Sequence, residues 1–269
     1  MRFSRFVGID WSGARGVRHP SVQVAVCEAD GQLSLVVPQG GVWSRTGVLE
    51  WLSGLSGDVL VGMDAGFGFA AVPSFPQPAR ALWAEVESIC AGEPDLAGHG
   101  FVEARRDAFW MGAADGPRHE RAHLRACEQV YAARGLGTPT SNFVLLGASQ
   151  VGKASLSAMR LLHRLAWPVW PFDPLPASGP VILEIYCQAF ARMAGQRGKV
   201  REREVLASAL MHFGAGMPAR MDARIPDHVS DALLTAAGLR AIAHQPHWWA
   251  PDDMTPALAV REGWTFGIS

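Results

Sequence analysis

The chain has 269 residues, 49% of them hydrophobic and 18% charged, with a formal net charge of −1. That composition supports a full apolar core without disulfides or a structural metal, and it excludes a disordered chain. It also excludes a strong overall field that would draw nucleic acid to the whole surface. Arg105, Arg106, Arg118, Arg121 and Arg125 do crowd one stretch, which reads either as a local basic groove or as a solvated helix face. Cys27, Cys90, Cys127 and Cys187 lie far apart with no CxxC pair, which argues against a cysteine-built zinc site. No apolar run reaches the roughly 18 residues that a membrane span needs. The N-terminus enters a strand-like segment with no secretory leader. The expectation is a soluble, cytoplasmic protein.

In chain order, Phe6-Val-Gly-Ile-Asp10 is a short apolar run closed by an acid, as in a buried strand. Residues 21–27 alternate with period two, Asp30-Gly31 signals a hairpin, and residues 32–37 return, predicting an antiparallel three-stranded opening. Thr46 is a candidate N-cap for a helix over 46–55, with Val48, Leu49, Trp51, Leu52 and Leu55 as its apolar stripe. Val59-Leu-Val-Gly-Met63 is a second buried strand, ending at Asp64. The intervening helix makes it a crossover parallel to the first. Residues 70–179, rich in Pro, Gly, Arg and Trp, read as a helical insertion within one domain spanning 1–269, packed over the acidic end of the sheet. Its clearest helices fall at 120–134 and 155–165. Strand resumes at 181–185, helices follow at 201–213 and 227–244, and the tail 263–268 adds a terminal strand or cap.

Asp10 and Asp64 each close an apolar strand, and the ligand crevice of an open α/β sheet lies beyond the strand carboxyl ends. Two bare carboxylates there repel, so they require a cation or a shared proton. All-oxygen ligation suits Mg²⁺ or Mn²⁺, ions that position and polarise a phosphoryl group. For either acid alone, a turn or a helix cap is the simpler account. Glu184, inside an apolar strand, needs a partner: it pairs with an arginine or joins the metal site. Arg125 and Glu128, three apart, read as a helix-surface ion pair. Asp227 and Asp231, four apart, share a helix face. Asp227 is also a natural N-cap and Asp231 suits the positive first turn, so spacing leaves open which of them is the site acid.

Two patterns compete with this reading. Residues 142–155 resemble strand, glycine loop and helix, and Gly147, Gly152 and Lys153 nearly fit GxxxxGK[ST]. Ala154 stands where the magnesium-binding hydroxyl belongs, so a glycine-rich turn is the better account. Lys153 is one of only two lysines and remains a candidate for meeting an anion. His244 and His247 flank Pro246, which breaks helical ligand spacing, so they read as surface or stacking residues.

Several segments together resemble a bacterial domain-of-unknown-function family described as predicted RNase H-like nucleases. They are Val7-Gly-Ile-Asp-Trp-Ser-Gly-Ala14, Val61-Gly-Met-Asp-Ala-Gly-Phe-Gly68, Ser141-Asn-Phe-Val-Leu-Leu-Gly-Ala-Ser-Gln-Val-Gly152, Trp170-Pro-Phe-Asp173, Leu183-Glu-Ile-Tyr186 and Asp231-Ala232. The resemblance implies an RNase H-like α/β fold: a mixed sheet of three antiparallel strands followed by parallel strands, with a helical insertion. It implies metal-binding acids on the first strand, the fourth strand and a late helix, here Asp10, Asp64 and Asp231. Glu184 is similar to an acid of the family's fifth-strand motif, and Arg125 and Glu128 match an Arg-x-x-Glu of the insertion. Where the family places proline after Glu-Ile-Tyr, this chain has Cys187.

These readings converge on a divalent-metal-dependent nuclease using Mg²⁺ or Mn²⁺. Asp10, Asp64, Glu184 and Asp231 are the candidate catalytic residues, and Ser12, Arg125, Glu128 and Lys153 the candidate substrate-binding residues. Nucleic acid of unspecified form is the expected partner, and no membrane is. Two other classes stay open: a nucleotide- or phosphometabolite-binding phosphotransferase of the related actin-like fold, and a non-catalytic protein-binding module.

Overall fold

Apolar runs buried on both faces make the centre of a sheet, and this chain has two of them side by side. The computed structural model describes residues 2–146 and 151–269, Glu120 by its backbone alone. Strands β1 (Arg5–Asp10), β2 (Gln23–Glu28), β3 (Leu33–Leu35), β4 (Val59–Asp64), β5 (Val169–Trp170) and β6 (Val181–Glu184) form one mixed sheet in the order β3-β2-β1-β4-β6-β5. β1 pairs antiparallel with β2 and parallel with β4, whose other edge carries β6 in parallel. The architecture is therefore α/β, with an antiparallel opening followed by parallel strands, as the strand pattern predicts.

Period-two alternation sends β1 and β4 side chains to two different cores. On one face Val7, Ile9, Val61 and Met63 pack beneath α1 (Arg45–Ser53), α2 (Ala79–Cys90) and α5 (Val151–Leu165), through Leu52, Trp83, Val86, Met159 and Leu162. On the other, Phe6, Leu60 and Leu183 pack against α6 (Cys187–Met193), α7 (Arg203–His212) and α8 (Asp227–Ile242). The insertion also contributes α3 (His99–Ala104) and α4 (Ala126–Ala133), and α9 (Pro256–Arg261) precedes the tail. Among the described residues, no helix is long and apolar enough to cross a membrane.

α8 lies unusually close to the sheet because β1 presents Gly8 to it. A Cβ on Gly8 would stand 2.3 Å from the Ala232 carbonyl oxygen and 2.6 Å from the Ala236 nitrogen, so only hydrogen fits. This contact brings the first turns of α8 to the carboxyl ends of β1 and β4.

Several expectations are corrected. The N-cap of α1 is Ser44, whose Oγ accepts from Gly47 N at 2.9 Å, while Thr46 instead donates to Asp95 through its N–H and hydroxyl. The helix expected at 120–134 begins only at Ala126, after a 3₁₀ turn at Arg118–Arg121, because Arg125 holds extended backbone as its N-cap. The strand expected before the glycine loop is only an isolated bridge between Trp110 and Val144, outside the sheet, and Gly147 itself lies outside the described residues. β5 falls within the expected insertion 70–179, so the sheet resumes about ten residues before that boundary. The tail docks through a parallel bridge between Ile185 and Phe266 and through the Trp264 indole, which donates to the Ile268 carbonyl at 2.7 Å.

Gly8→Ala should displace α8 and lower stability by about 1–3 kcal/mol, the usual cost of overpacking. Urea unfolding measures this, and an unchanged midpoint would mean that α8 tolerates a methyl group at its seat.

Candidate metal centre

In parallel register Asp10 lies beside Asp64 at the ends of β1 and β4. Both belong to the alternation phase of Gly8 and Gly62, the face against α8. Asp10, Asp64 and Cys187 each offer a ligand atom within 4.8 Å of the others. From α8, His228 Nδ1 lies 2.7 Å from Asp10 Oδ2. Asp231, only 3% exposed, has Oδ2 2.9 Å from Lys199 Nζ, while its Oδ1 is buried without a hydrogen-bond partner. Asp10, Asp64, Lys199, His228 and Asp231 line a cavity of about 690 Å³. Its far wall comes from the insertion and includes Glu128, Tyr131, Thr140 and Asn142, so the insertion does cover the acidic end of the sheet.

Burial pushes the Asp10 carboxyl up to about 6, against the opposing pull of the His228 hydrogen bond. Burial and then the adjacent Asp10 charge push Asp64 up to about 7. Asp231 is raised by burial, with Lys199 restraining the shift. His228 is raised chiefly by its hydrogen bond to Asp10. Burial is the first cause of both shifts, so the two carboxyls keep protons at neutral pH unless a positive charge joins them.

The donor chemistry selects which cation fits. Burial drives the Cys187 thiol well above its ordinary range, and its Sγ shares a hydrogen bond with Thr235 Oγ1 at 3.2 Å. A bound metal ion deprotonates a thiol that it coordinates, so this shift by itself excludes no ion. The Cys187 backbone also serves the cluster, its N–H donating to Asp64 Oδ2 at 3.2 Å. The other donors of the cluster are the carboxylate oxygens of Asp10 and Asp64, which suit Mg²⁺ or Mn²⁺, while Asp231 is not among the residues whose ligand atoms lie within 4.8 Å of one another.

The other candidates divide. Ser12 lines the cavity in the loop after β1, which the buried Arg45 holds by donating to the Ser12 carbonyl at 2.8 Å. Lys153 does not follow its neighbours Val151 and Ala154 into the lining. Its backbone packs on Gly13, where a Cβ would lie 2.3 Å from Ala154 N. Glu184 takes the arginine pairing: it accepts two bonds from Arg125, at 2.7 and 2.6 Å, one from Phe67 N at 2.7 Å and one from Thr265 Oγ1 at 2.6 Å. With four donors on two oxygens, it has little left for an ion. The Arg125–Glu128 pair is present at 2.9 Å, but it is buried rather than on a helix surface. Asp227, the first residue of α8, is more exposed than Asp231 and pairs with Arg201 at 3.2 Å, so Asp231 is the buried helix acid. The expected basic stretch is neither a groove nor one helix face. Arg105 pairs with Glu85, Arg106 and Arg121 with Asp115, Arg125 with Glu184, and Arg118 covers the Trp110 ring.

Sequence reasoning missed Lys199 and His228. Lys199 had one signal: with Lys153 it makes up the chain's entire lysine content. His228 had none beyond adjacency to Asp227. Comparison of the chain with family models, with curated proteins and with solved structures gives no match in any of the three. The chemistry of the site therefore rests on its own geometry.

Two outcomes follow. Without divalent ions, the folded state keeps protons on Asp10 and Asp64 that the unfolded chain has already released between about pH 4 and 7. Folded pKa values above the unfolded ones mean that stability is greatest at the acid side of this window and falls as pH rises through it. Thermal unfolding in EDTA should show that decline, and Asp64→Asn should flatten it and raise the melting temperature at about pH 8. A wild-type profile that rises across the window would contradict the elevated carboxyls. Secondly, Glu184→Gln leaves the Arg125 guanidinium buried with a neutral partner and should cost about 3–5 kcal/mol while sparing Mn²⁺ affinity. Loss of affinity with stability retained would return Glu184 to the ligand set.

Proposed function

We propose that this protein is a divalent-metal-dependent phosphodiester hydrolase of RNase H-like fold acting on nucleic acid. The observation that carries the reading is the register pairing of Asp10 with Asp64 at the carboxyl ends of adjacent parallel strands, with Asp231 of α8 lining the same cavity. The strand order, three antiparallel and then parallel, supports the fold assignment, as does the distribution of acids over the first strand, the fourth strand and a late helix. Fold alone does not fix an activity, so the weight rests on the carboxylates.

Asp10 and Asp64 would hold Mg²⁺ or Mn²⁺. A bound ion supplies Lewis-acid polarisation of the phosphoryl group and a water molecule made acidic enough to attack. The protein's own groups do the rest. Asp231, whose Oδ1 is buried without a hydrogen-bond partner, lines the same cavity and would orient a water or ligand beside it. His228 has Nδ1 engaged with Asp10, so proton exchange with a departing oxygen falls to Nε2, and its side chain, 43% exposed, reaches the cavity. Lys199 and the positive end of α8 offset the negative field that four aspartates would otherwise present to a phosphate.

The volume of the cavity favours a second reading: hydrolysis or transfer on a nucleotide-sized phosphometabolite, which 690 Å³ accommodates. One panel separates the two. Single- and double-stranded DNA and RNA, ATP, GTP and sugar phosphates are incubated with Mn²⁺ or Mg²⁺, comparing wild type with Asp10→Asn. The expected result is cleavage of a nucleic acid that needs metal and falls by at least about a hundredfold in Asp10→Asn. Turnover confined to small phosphates would move the assignment to the second reading. Equal activity in wild type and variant would remove both.

A further inference from the structure

Lys199 is one of two lysines in a chain that otherwise draws its cationic side chains from arginine. It lies in the loop between α6 and α7, and that loop is anchored. Ser230 Oγ donates to the Val200 carbonyl at 2.5 Å, and Ile225 N donates to the Arg201 carbonyl at 2.8 Å. The anchors set Lys199 Nζ 2.9 Å from Asp231 Oδ2 and 3.5 Å from Asp227 Oδ2, on the wall of the cavity that Asp10 and Asp64 also line. Asp227 has Arg201 as a second partner, at 3.2 Å, whereas Asp231 has Lys199 alone and leaves Oδ1 buried and unbonded.

Three carboxylates facing one cavity are commonly neutralised by two divalent ions. Here an ammonium already occupies one side of the cluster. A compact ammonium on a flexible stem suits this role better than a planar guanidinium, since it acts as a point charge with three rotatable donors. Asp231 and Asp227 engage two of those donors at most, leaving one for a phosphate oxygen. With the fourth aspartate, Asp227, paired to Arg201, the charges of Asp10, Asp64 and Asp231 are matched by one divalent ion plus one ammonium, and a second divalent ion would meet the Lys199 charge at close range.

We propose that Lys199 fills the second cation position of this cluster, so that the site takes a single divalent ion on Asp10 and Asp64. This rests on the metal-site reading above but adds to it a stoichiometry and a role. Asp231 is held by Lys199 through Oδ2 and keeps Oδ1 without a hydrogen-bond partner. The remaining N–H of Lys199 positions the phosphate that the ion polarises, so Lys199 determines how a substrate phosphate sits.

The test is the number of ions bound, read independently of turnover. Mn²⁺ is titrated into the full chain by calorimetry, and the bound ions are examined by electron paramagnetic resonance. Wild type is expected to bind one ion, with the spectrum of an isolated Mn²⁺. Lys199→Ala should bind two and show the spin coupling of a close pair, and Lys199→Ala combined with Asp231→Asn should return to one. Lys199 is 47% exposed on its side chain, so truncation opens no core cavity. Lys199→Gln keeps a donor for Asp231 without the charge and should also bind two ions. A coupled pair in wild type overturns the proposal, as does a single ion in both Lys199→Ala and Lys199→Gln. No ion bound to wild type overturns it together with the metal-site reading. The predicted stoichiometries without cleavage of any phosphodiester would leave the proposal standing and remove only the nuclease reading.

Discussion

The candidate site depends on the backbone of α8 lying directly on β1. Gly8 removes the one Cβ that would hold them apart, leaving the Ala232 carbonyl and the Ala236 amide almost on the strand. A larger residue would separate the layers by roughly the width of a methyl group or more. At that separation Asp231 and His228 would no longer reach the carboxylates ending β1 and β4. The close contact therefore acts at two levels: it packs one of the two core faces, and it delivers an acid and an imidazole to the end of the sheet.

What assembles there is an electrostatic conflict under control. Asp10 and Asp64 are forced together by parallel register, and neither has an arginine. The cluster is moderated by groups that take one carboxylate oxygen and leave the other: His228 on Asp10, the Cys187 amide on Asp64, Lys199 on Asp231. The neighbouring Glu184 shows the opposite solution, four hydrogen bonds and a bidentate arginine, which satisfies a buried carboxylate completely. Within one cavity lining, the half-satisfied acids stand beside one whose partners are all supplied by the protein.

Much of this was legible in the sequence. An apolar run closed by aspartate, twice, with a helix between, encodes a parallel pair and its acidic end, because register and periodicity are local properties. The spacing of Asp227 and Asp231 encodes a shared helix face for the same reason. What stayed hidden is tertiary. Arg125 announced Glu128, three residues on, yet its bidentate partner Glu184 lies 59 positions away. Lys199 sits beside Gly198 in an irregular loop with no periodicity to read, and its orientation comes from bonds to residues 225 and 230. The helix starts moved because capping is a competition: Ser44 capped α1 once Thr46 found Asp95, and Arg125 took the extended backbone that opens α4.

The wall formed by Arg125, Glu184 and Thr265 has a bearing on the order in which the molecule is made. Glu184 is closed from one side by the N-cap of α4 and from the other by a hydroxyl in the tail, and Phe266 completes a bridge beside Ile185. As the chain is synthesised from its amino end, Asp10 and Asp64 precede Lys199, His228 and Asp231 by well over a hundred residues, and the tail comes after them. A nascent chain thus carries the two repelling carboxylates without the groups that moderate them. The cavity acquires its final shape only when the segment through Phe266 has docked, so its wall closes after all of the acids that line it have been made.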